Sequence, residues 1–267
     1  MINKDITVGI PFYSKTSVDE FVLAVDSILK QSHLPSVIHF IQDGPIGKEL
    51  KSVVDNYLLK HSSIVYIKLD KVNLAVALNK SIKKTKTKYY ARMDSDDISM
   101  PDRLMLQSKF LDENSNISIV GSWATEFYKD ISNSDNFIKK VPFIYSEIVS
   151  FYHYRNPLIH PTVMFRVSVF DKLGYYNEAF STDQDLELWG RAIKNDIGIS
   201  NIQESLLYHN IKGIHKRRTR LRAICNQILA RRLLPANSIK LKLLKFAAIC
   251  FRFMPEIIIK FGYKKLR

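Results

Sequence analysis

Apolar residues along the first hundred positions switch repeatedly between the spacing of a strand and that of a helix. Ile6-Thr7-Val8-Gly9-Ile10-Pro11 reads as a short strand, and Ser17-Val18-Asp19-Glu20 then has the spacing of a capping box that opens a helix. Val18, Phe21, Val22, Val25, Ile28 and Leu29 recur on one face of that helix, which is expected to end near Gln31. Val37 to Ile41 forms the next strand and breaks at Asp43-Gly44-Pro45. A helix carrying Leu50, Val53, Val54, Tyr57 and Leu58 follows, then a strand from Ile64 to Leu69 and an amphipathic helix from about Leu74 to Lys84. A fourth, aromatic strand delivers Asp94. Strands alternating with helices predict a parallel sheet covered on both faces, and such sheets bind ligands outside the carboxyl ends of their strands. Pro11 to Tyr13, Asp43 and Asp94 to Asp97 fall at ends of that kind and are expected to converge.

The fourth strand carries the densest chemistry, because Tyr89-Tyr90-Ala91-Arg92-Met93-Asp94-Ser95-Asp96-Asp97 places three carboxylates within four positions. If strand geometry persists, Asp94 and Asp96 point the same way. Two hard oxygen ligands with room for water suit Mg²⁺ or Mn²⁺, and a bound diphosphate would complete the shell. The same residues also read as an acidic turn capping a helix that begins near Pro101, and an Asp-x-Asp triplet alone does not choose between the two.

With 267 residues and 46% hydrophobic content the chain is long enough for a substantial core, and one α/β domain with a C-terminal extension is the economical reading. The sequence has no linker, internal repeat or low-complexity tract, and Ile131 to Asn136 reads as a polar surface loop. Cys225 and Cys250 have no partner motif and are expected to be apolar fillers in a reduced compartment. The opening residues lack the apolar stretch of a signal peptide, which points to a cytoplasmic location.

The net charge of +14 is concentrated in the C-terminal fifth, in Lys216-Arg217-Arg218, Arg220, Arg222, Arg231-Arg232 and the basic residues from Lys240 to Arg267. They are interleaved with Leu221, Ile224, Ile228, Leu229, Leu233, Leu234, Leu241, Leu243, Leu244, Phe246, Ile249 and Phe253, the composition of helices that lie in a membrane interface. A nucleic-acid-binding surface needs no such apolar face, and neither zinc-finger spacing nor an RNA-binding aromatic motif accompanies the charge. The run from Phe246 is interrupted by Arg252, Pro255, Glu256 and Lys260, well short of the roughly 20 apolar residues of a membrane span. The other reading is that these helices pack on the domain with a solvated basic side.

Ala91-Arg92-Met93-Asp94-Ser95-Asp96-Asp97-Ile98-Ser99, with Arg103 and Gln107 following, resembles the signature of the inverting family-2 glycosyltransferases of bacterial polysaccharide synthesis. The resemblance extends through Gln42-Asp43-Gly44-Pro45, Ala75 to Lys80, Gly121-Ser122-Trp123, Arg155-Asn156-Pro157, His160 to Phe165 and Gln184 to Arg191, about Ile6 to Arg218 in all. It is nearest to the branch that makes O-antigen, capsule or exopolysaccharide repeat units, including galactosyltransferases.

This resemblance implies a GT-A fold over residues 1–215, a nucleotide-binding α/β half joined to an acceptor-binding half, followed by a basic helical extension over 216–267. It implies a UDP-sugar donor, with galactose as the best candidate sugar, an Mn²⁺ or Mg²⁺ ion, and a polyprenyl-diphosphate-linked saccharide acceptor. The enzyme would work as a peripheral protein on the anionic inner face of the cytoplasmic membrane. Carried over residue by residue, Pro11, Tyr13 and Asp43 hold uracil and ribose, although Asp43 also reads as an Asx-type turn. Arg92 faces the diphosphate or, on the alternate face, the surface. Asp94 and Ser95 contact the nucleotide, Asp96 is the direct metal ligand with Asp94 beside it, and Asp97 is a candidate cap for the next segment. Asp185 matches the catalytic base, Trp123 and Arg155 border the acceptor, and His160 borders the acceptor or the metal, also reading as a packed histidine.

The chain departs from the family pattern in three places. Gln184 stands where an acidic residue usually precedes the base, which makes Asp183 a rival to Asp185. Asn73 replaces a glycine and is expected to take its left-handed conformation. Asn210 stands where an arginine is common, leaving Arg217 or Arg218 as phosphate partners. Two other classes fit parts of the pattern: a sugar nucleotidyltransferase shares a metal and nucleotide site, and a nucleic-acid-binding module is suggested by charge alone.

Overall fold

The structure, a computed structural model, describes residues 2–128, 131, 136–212 and 221–254, with the backbone alone for residues 2–4. Strand β1 (Ile2–Tyr13) lies between β2 (Leu34–Asp43) and β4 (Tyr89–Arg92), with β3 (Ile64–Leu69) outside β2, all four parallel. Tyr13 pairs with Asp43, Asp43 with Leu69, and Gly9 with Arg92, so the predicted strand ends do come together at one edge. The first two strands outrun the apolar stretches that predicted them. Backbone pairing continues through Leu34, Pro35, Gln42 and Asp43 wherever the neighbouring strand supplies a partner, whatever the side chain.

Beyond β4 the sheet becomes mixed, which the strand-helix rhythm of the first half did not predict. β8 (Met164–Arg166) is antiparallel to β4, β6 (Ile117–Phe127) is antiparallel to β8, and β9 (Gly198–Asn210) is parallel to β6. The two-residue β5 (Ile98–Ser99) closes the far edge against β9, while β7 (Phe137–Lys139) pairs with β6. Residues directly after the acidic run thus pair with the opposite edge of the sheet from β4, whose end precedes them.

Helices α1 (Val18–Leu29), α2 (Lys48–Lys60) and α4 (Arg103–Glu113) contribute to one core. Its centre is Phe12, Phe21 and Phe40, with ring centroids 5.0 to 6.1 Å apart. Each such ring contributes about 1.5–3 kcal/mol by burial. A second core joins α3 (Leu74–Lys84), α5 (Tyr145–Tyr152), α6 (Val169–Leu173) and α7 (Gln184–Lys194). Gly190 of α7 is required there, because a Cβ would lie 2.3 Å from the Tyr152 hydroxyl.

Two local expectations are corrected. The capping box at Ser17 does not form, because the Ser17 side chain makes no cap bond and Glu20 instead accepts from Asn210 Nδ2 at 3.3 Å. Asn73 is extended, with φ −106° and ψ 167°, and caps α3 through its Oδ1, which accepts from Val76 N at 3.0 Å. A side chain able to cap a helix N-terminus makes the left-handed turn unnecessary.

At the C-terminal end, α8 (Leu221–Arg232) is seated on the domain by a polar face rather than an apolar one. Asn226, Gln227 and Arg231 are buried with Ala223, Ile224 and Ala230, while Leu221 and Leu229 are exposed. Ala230 O accepts from Tyr152 Oη at 2.5 Å, and Arg231 bonds both Gln227 and Tyr152 O. Cys225 is exposed and is not the apolar filler expected. Helix α9 (Ile239–Cys250) buries no residue. No helix among the described residues is long and apolar enough to cross a membrane. Lys216, Arg217, Arg218, Arg220, the residues from Pro255 onward and most of the predicted 131–136 loop lie outside the described residues.

Candidate active site

Strand β4 ends at Arg92, so Asp94 and Asp96 do not converge by strand alternation as expected. They converge by a turn. One oxygen each from Asp94, Asp96 and Asp97 lies within 4.8 Å of the others. The turn hangs from the sheet through Arg92 N donating to Val163 O at 2.9 Å and Met93 N donating to Gly9 O at 3.1 Å. Ser95 is buried, with its Oγ 3.5 Å from Thr16 Oγ1.

Asp97 is not a helix cap. It is buried, and its Oδ1 accepts from Asn210 N at 2.7 Å, tying the turn to the end of β9. Its Oδ2 is buried without a hydrogen-bond partner among the described residues. Burial, then the charges of Asp94 and Asp96, push its carboxyl well above the usual range. Unit charges about 4 Å apart repel by roughly 1–4 kcal/mol in water-like to surface-like surroundings. Crowded carboxylates with an unsatisfied buried oxygen fit a hard divalent cation.

Arg92 is buried, which removes the surface alternative, and its Nη2 is bonded to Asp94 Oδ1. Its Nε and Nη1 have no hydrogen-bond partner among the described residues. The turn is braced from below by residues whose roles were not legible in the sequence. Arg103 donates to Arg92 O at 2.7 Å and to Gln107 Oε1 at 3.1 Å, and burial lowers its guanidinium to about 9. Gln107 donates to Thr162 O at 2.7 Å. Gln31 donates to Ser27 O, Ser99 Oγ and Met100 O and accepts from Leu104 N at 3.0 Å, clamping α1, β5 and α4 together.

At the neighbouring strand ends Pro11 is buried, Tyr13 is 46% exposed and Asp43 is half-buried. Asp43 Oδ1 accepts from Val72 N at 2.6 Å rather than from its own turn, so the Asx reading is replaced by a clasp between the β2 end and the loop before α3. Gly44 makes that turn possible with φ +76°.

The second carboxylate centre is the start of α7. Asp185 is half-buried, and its Oδ2 accepts from Asn156 Nδ2 at 2.5 Å. Burial first, then the charge of Asp183, raise its carboxyl above the ordinary range, while the backbone N–H of Leu186, then the Asn156 bond and Arg92, oppose that shift. Asp183 sits in the left-handed region at φ 56°, and its Oδ1 is bonded by Gln227 of α8. Asn156 belongs to a stretch singled out in the sequence, but its contact to Asp185, 29 positions on, carries no local signal.

Tyr176 is a buried group coupled electrostatically to both centres. Its backbone N and O are both held by Asn79 of α3, at 3.0 and 2.9 Å, and its hydroxyl is 2.8 Å from His160 Nε2. Burial holds the Tyr176 hydroxyl well above its ordinary range, with Arg92 opposing and Asp185 and Asp94 among the smaller causes, so it feels both centres. His160 is packed, with its ring 6.2 Å from that of Trp189, and burial and Arg92 hold it neutral. It is not one of the residues whose ligand atoms gather at the acidic turn. Trp123 lies against residues 140–141, and Arg155 lies over Phe151 of α5, one residue before Asn156. Trp123 Nε1 donates to Val141 O at 3.0 Å, and the Arg155 guanidinium lies 5.8 Å from the Phe151 ring centre.

Residues 7–174 match the Glycosyl transferase family 2 domain. The chain belongs to that family. The matched segment contains the whole acidic turn and ends before Asp185. The Escherichia coli UDP-Gal:alpha-D-GlcNAc-diphosphoundecaprenol beta-1,3-galactosyltransferase is 31% identical over 186 residues, which span 69% of this chain and 66% of that relative, just under two thirds of its length. Staphylococcus aureus TarS 1-349 in complex with UDP-GlcNAc superposes with a TM-score of 0.64 at 16% identity, over 93% of this chain and 72% of that one. The mannosyltransferase PcManGT from Pyrobaculum calidifontis, in complex with GDP-Man and Mn²⁺, superposes with a TM-score of 0.65 at 14% identity, over 96% of this chain and 73% of that one. At such identities these structures show the fold, and the fold is GT-A. This family-2 glycosyltransferase therefore has the architecture that its sequence motifs imply.

Proposed function

We propose that this family-2 glycosyltransferase is a metal-dependent inverting enzyme that moves a hexose, galactose being the first candidate, from a UDP-sugar to a hydroxyl of a polyprenyl-diphosphate-linked saccharide in surface polysaccharide synthesis. One observation carries the reading: the strand ends present a crowded carboxylate cluster, while the start of α7 presents a carboxylate of raised proton affinity held by a neutral amide. The name of the E. coli relative supports the donor and acceptor classes.

In this reading Pro11, Tyr13 and Asp43 hold uracil and ribose. Asp96 and Asp94 hold the Mn²⁺ or Mg²⁺ ion, which when bound stabilises charge on the departing diphosphate by several kcal/mol. Ser95 and the unpartnered nitrogens of Arg92 lie along the same edge. As the acceptor oxygen bonds to the anomeric carbon and the bond from that carbon to the UDP oxygen breaks, Asp185 takes the hydroxyl proton, a step worth typically ~10²–10⁴ in rate. Asn156 keeps its carboxylate aimed.

The acceptor class is matched by α9. Ile239, Leu243 and Phe246, four and three residues apart on one helical face, are 77%, 63% and 67% exposed. Lys240 and Lys242 are interspersed, and residues 205–255 contain no acidic residue. That combination suits an anionic leaflet, where each basic residue contributes on the order of 1 kcal/mol.

The deciding assay incubates the purified protein with a panel of UDP-sugars, a diphosphate-lipid acceptor analogue, and Mn²⁺, Mg²⁺ or EDTA. Transfer from one UDP-sugar with either ion, and loss of transfer in EDTA, is expected. Pyrophosphate release from UTP and a sugar phosphate would replace this reading with a nucleotidyltransferase. Cosedimentation with anionic vesicles is expected to be salt-sensitive and to be lost on truncation after Pro235; equal cosedimentation of both forms at low and high salt would remove the membrane role.

A further inference from the structure

A groove of about 540 Å³ is lined by Lys140, Ser146, Glu147, Ser150, Phe151 and Tyr154. That volume lies within the roughly 300–1,000 Å³ of small-molecule sites. One wall is fixed by three main-chain carbonyls. Val141 O accepts from Trp123 Nε1 at 3.0 Å, Pro142 O from Asn201 Nδ2 at 2.6 Å, and Phe143 O from Ser200 Oγ at 3.2 Å. The other wall is α5, anchored by the buried Ile148 and Tyr152. A groove held on both sides is preformed and loses little entropy on binding.

Its lining is specific in chemistry. Phe151 and Tyr154 form a tilted ring pair with centroids 5.1 Å apart, beside two hydroxyls, a carboxylate and an ammonium group. A lipid tail would leave those polar groups unsatisfied, and the opposite charges of Lys140 and Glu147 offset each other, so the lining offers a polyanion no net positive charge. A sugar satisfies both kinds of lining at once: its C–H faces cover the rings and its hydroxyls exchange hydrogen bonds with Ser146, Glu147 and Ser150. The groove is also close along the chain to the proposed chemistry. From Tyr154 the chain needs two residues, at most about 7 Å of extended backbone, to reach Asn156, whose amide bonds Asp185.

We propose that this groove binds a saccharide, the part of the acceptor glycan beyond the residue that is glycosylated. The assignment of the sugar as acceptor rests on the function proposed above; its binding to the groove does not. The groove therefore makes the enzyme sensitive to acceptor length, whereas donor binding is independent of it.

Saturation-transfer NMR on the full chain tests this with galactose, N-acetylglucosamine and their β-linked disaccharide as probes, with UDP and a short-chain phospholipid measured separately. The disaccharide is expected to receive saturation from the wild type. That signal should fall by about fivefold or more, the size of a lost aromatic contact, in Tyr154→Ala and in Ser146→Trp, with UDP binding unchanged. Ser146 is exposed, so the Trp variant fills the groove without disturbing the core. Equal disaccharide signals in wild type and Ser146→Trp would overturn the proposal. So would silence from every sugar at about 10 mM, the weak limit of useful recognition, or saturation of the phospholipid in their place. Failure of UDP binding with a groove-dependent sugar signal intact would instead overturn the donor reading and leave the groove assignment standing.

Discussion

At the acidic turn three aspartates bring oxygens within 4.8 Å of one another, and Arg92 bonds one of them, whereas at the start of α7 Asp185 is held by the neutral amide of Asn156. Both centres depend on burial, but burial has different consequences at each. Crowding at the turn makes a second ionised carboxylate costly without a cation. At α7 the nearest like charge, Asp183, is turned toward Gln227, leaving a single carboxylate whose proton affinity is raised but whose geometry is fixed. In the proposed mechanism one residue type thus serves both as cation holder and as proton acceptor, because environments that separate proton affinities also separate roles.

The largest effect is expected from Asp96→Ala, which should lower transfer by about three orders of magnitude or more and abolish Mn²⁺ binding by calorimetry, the loss expected when metal stabilisation of the leaving group is withdrawn. Full activity of the wild type in EDTA, with metal absence verified, would break the comparison on this side.

On the other side, Asp185→Asn should reduce turnover by roughly two to four orders of magnitude while leaving UDP affinity nearly unchanged. Asp183→Asn should reduce it much less, since its carboxylate is already engaged by α8. The reverse ranking would move the base to Asp183.

A smaller but sharper effect lies in the pH profile. The proposed mechanism requires ionised Asp185, so the rate should rise with pH through a limb above the ordinary aspartate value of about 4. Asn156→Ala removes a bond that favours the ionised form and should move that limb to higher pH; Asp183→Asn removes a neighbouring negative charge and should move it lower. A limb unmoved by either variant would mean that another group titrates.

His39 provides the control for that profile. Burial, then Lys84, lower its imidazole to about 4, and its Nδ1 is 2.9 Å from Ser81 Oγ. Between about 6.5 and 4 the unfolded chain takes up a proton that the folded chain refuses. Its contribution to stability is therefore present above 6.5 and is lost as pH falls, by on the order of 3 kcal/mol. Thermal melts across that window should show the loss, and His39→Gln should flatten it. An acid limb in activity that follows the melts rather than the Asn156 variant would be unfolding, not chemistry.

The strand-helix rhythm of residues 6–92 was legible because burial of a parallel sheet on both faces imposes a periodicity on nearly every position. The acidic turn was legible as chemistry but not as shape: Asp94 and Asp96 meet through a turn that Gly9, Val163 and Asn210 hold from three other segments. The polar face of α8 was misread for a related reason. Arg231 belongs in sequence to the basic set of a membrane-facing or solvated side, and the carbonyl of Tyr152 and the side chain of Gln227 make its burial favourable.

The sequence by itself determined the order of strands and helices as far as β4, the family, and which carboxylates crowd together, since these follow from side-chain period and from residues adjacent in the chain. Tertiary structure alone decided that Asp97 answers to Asn210, that Asp185 is aimed by Asn156 and Asp183 diverted by Gln227, and that Asn79 holds both backbone groups of Tyr176. Those outcomes depend on hydrogen bonds between groups 29 to 113 positions apart, and such a bond leaves no periodic trace in the chain that makes it.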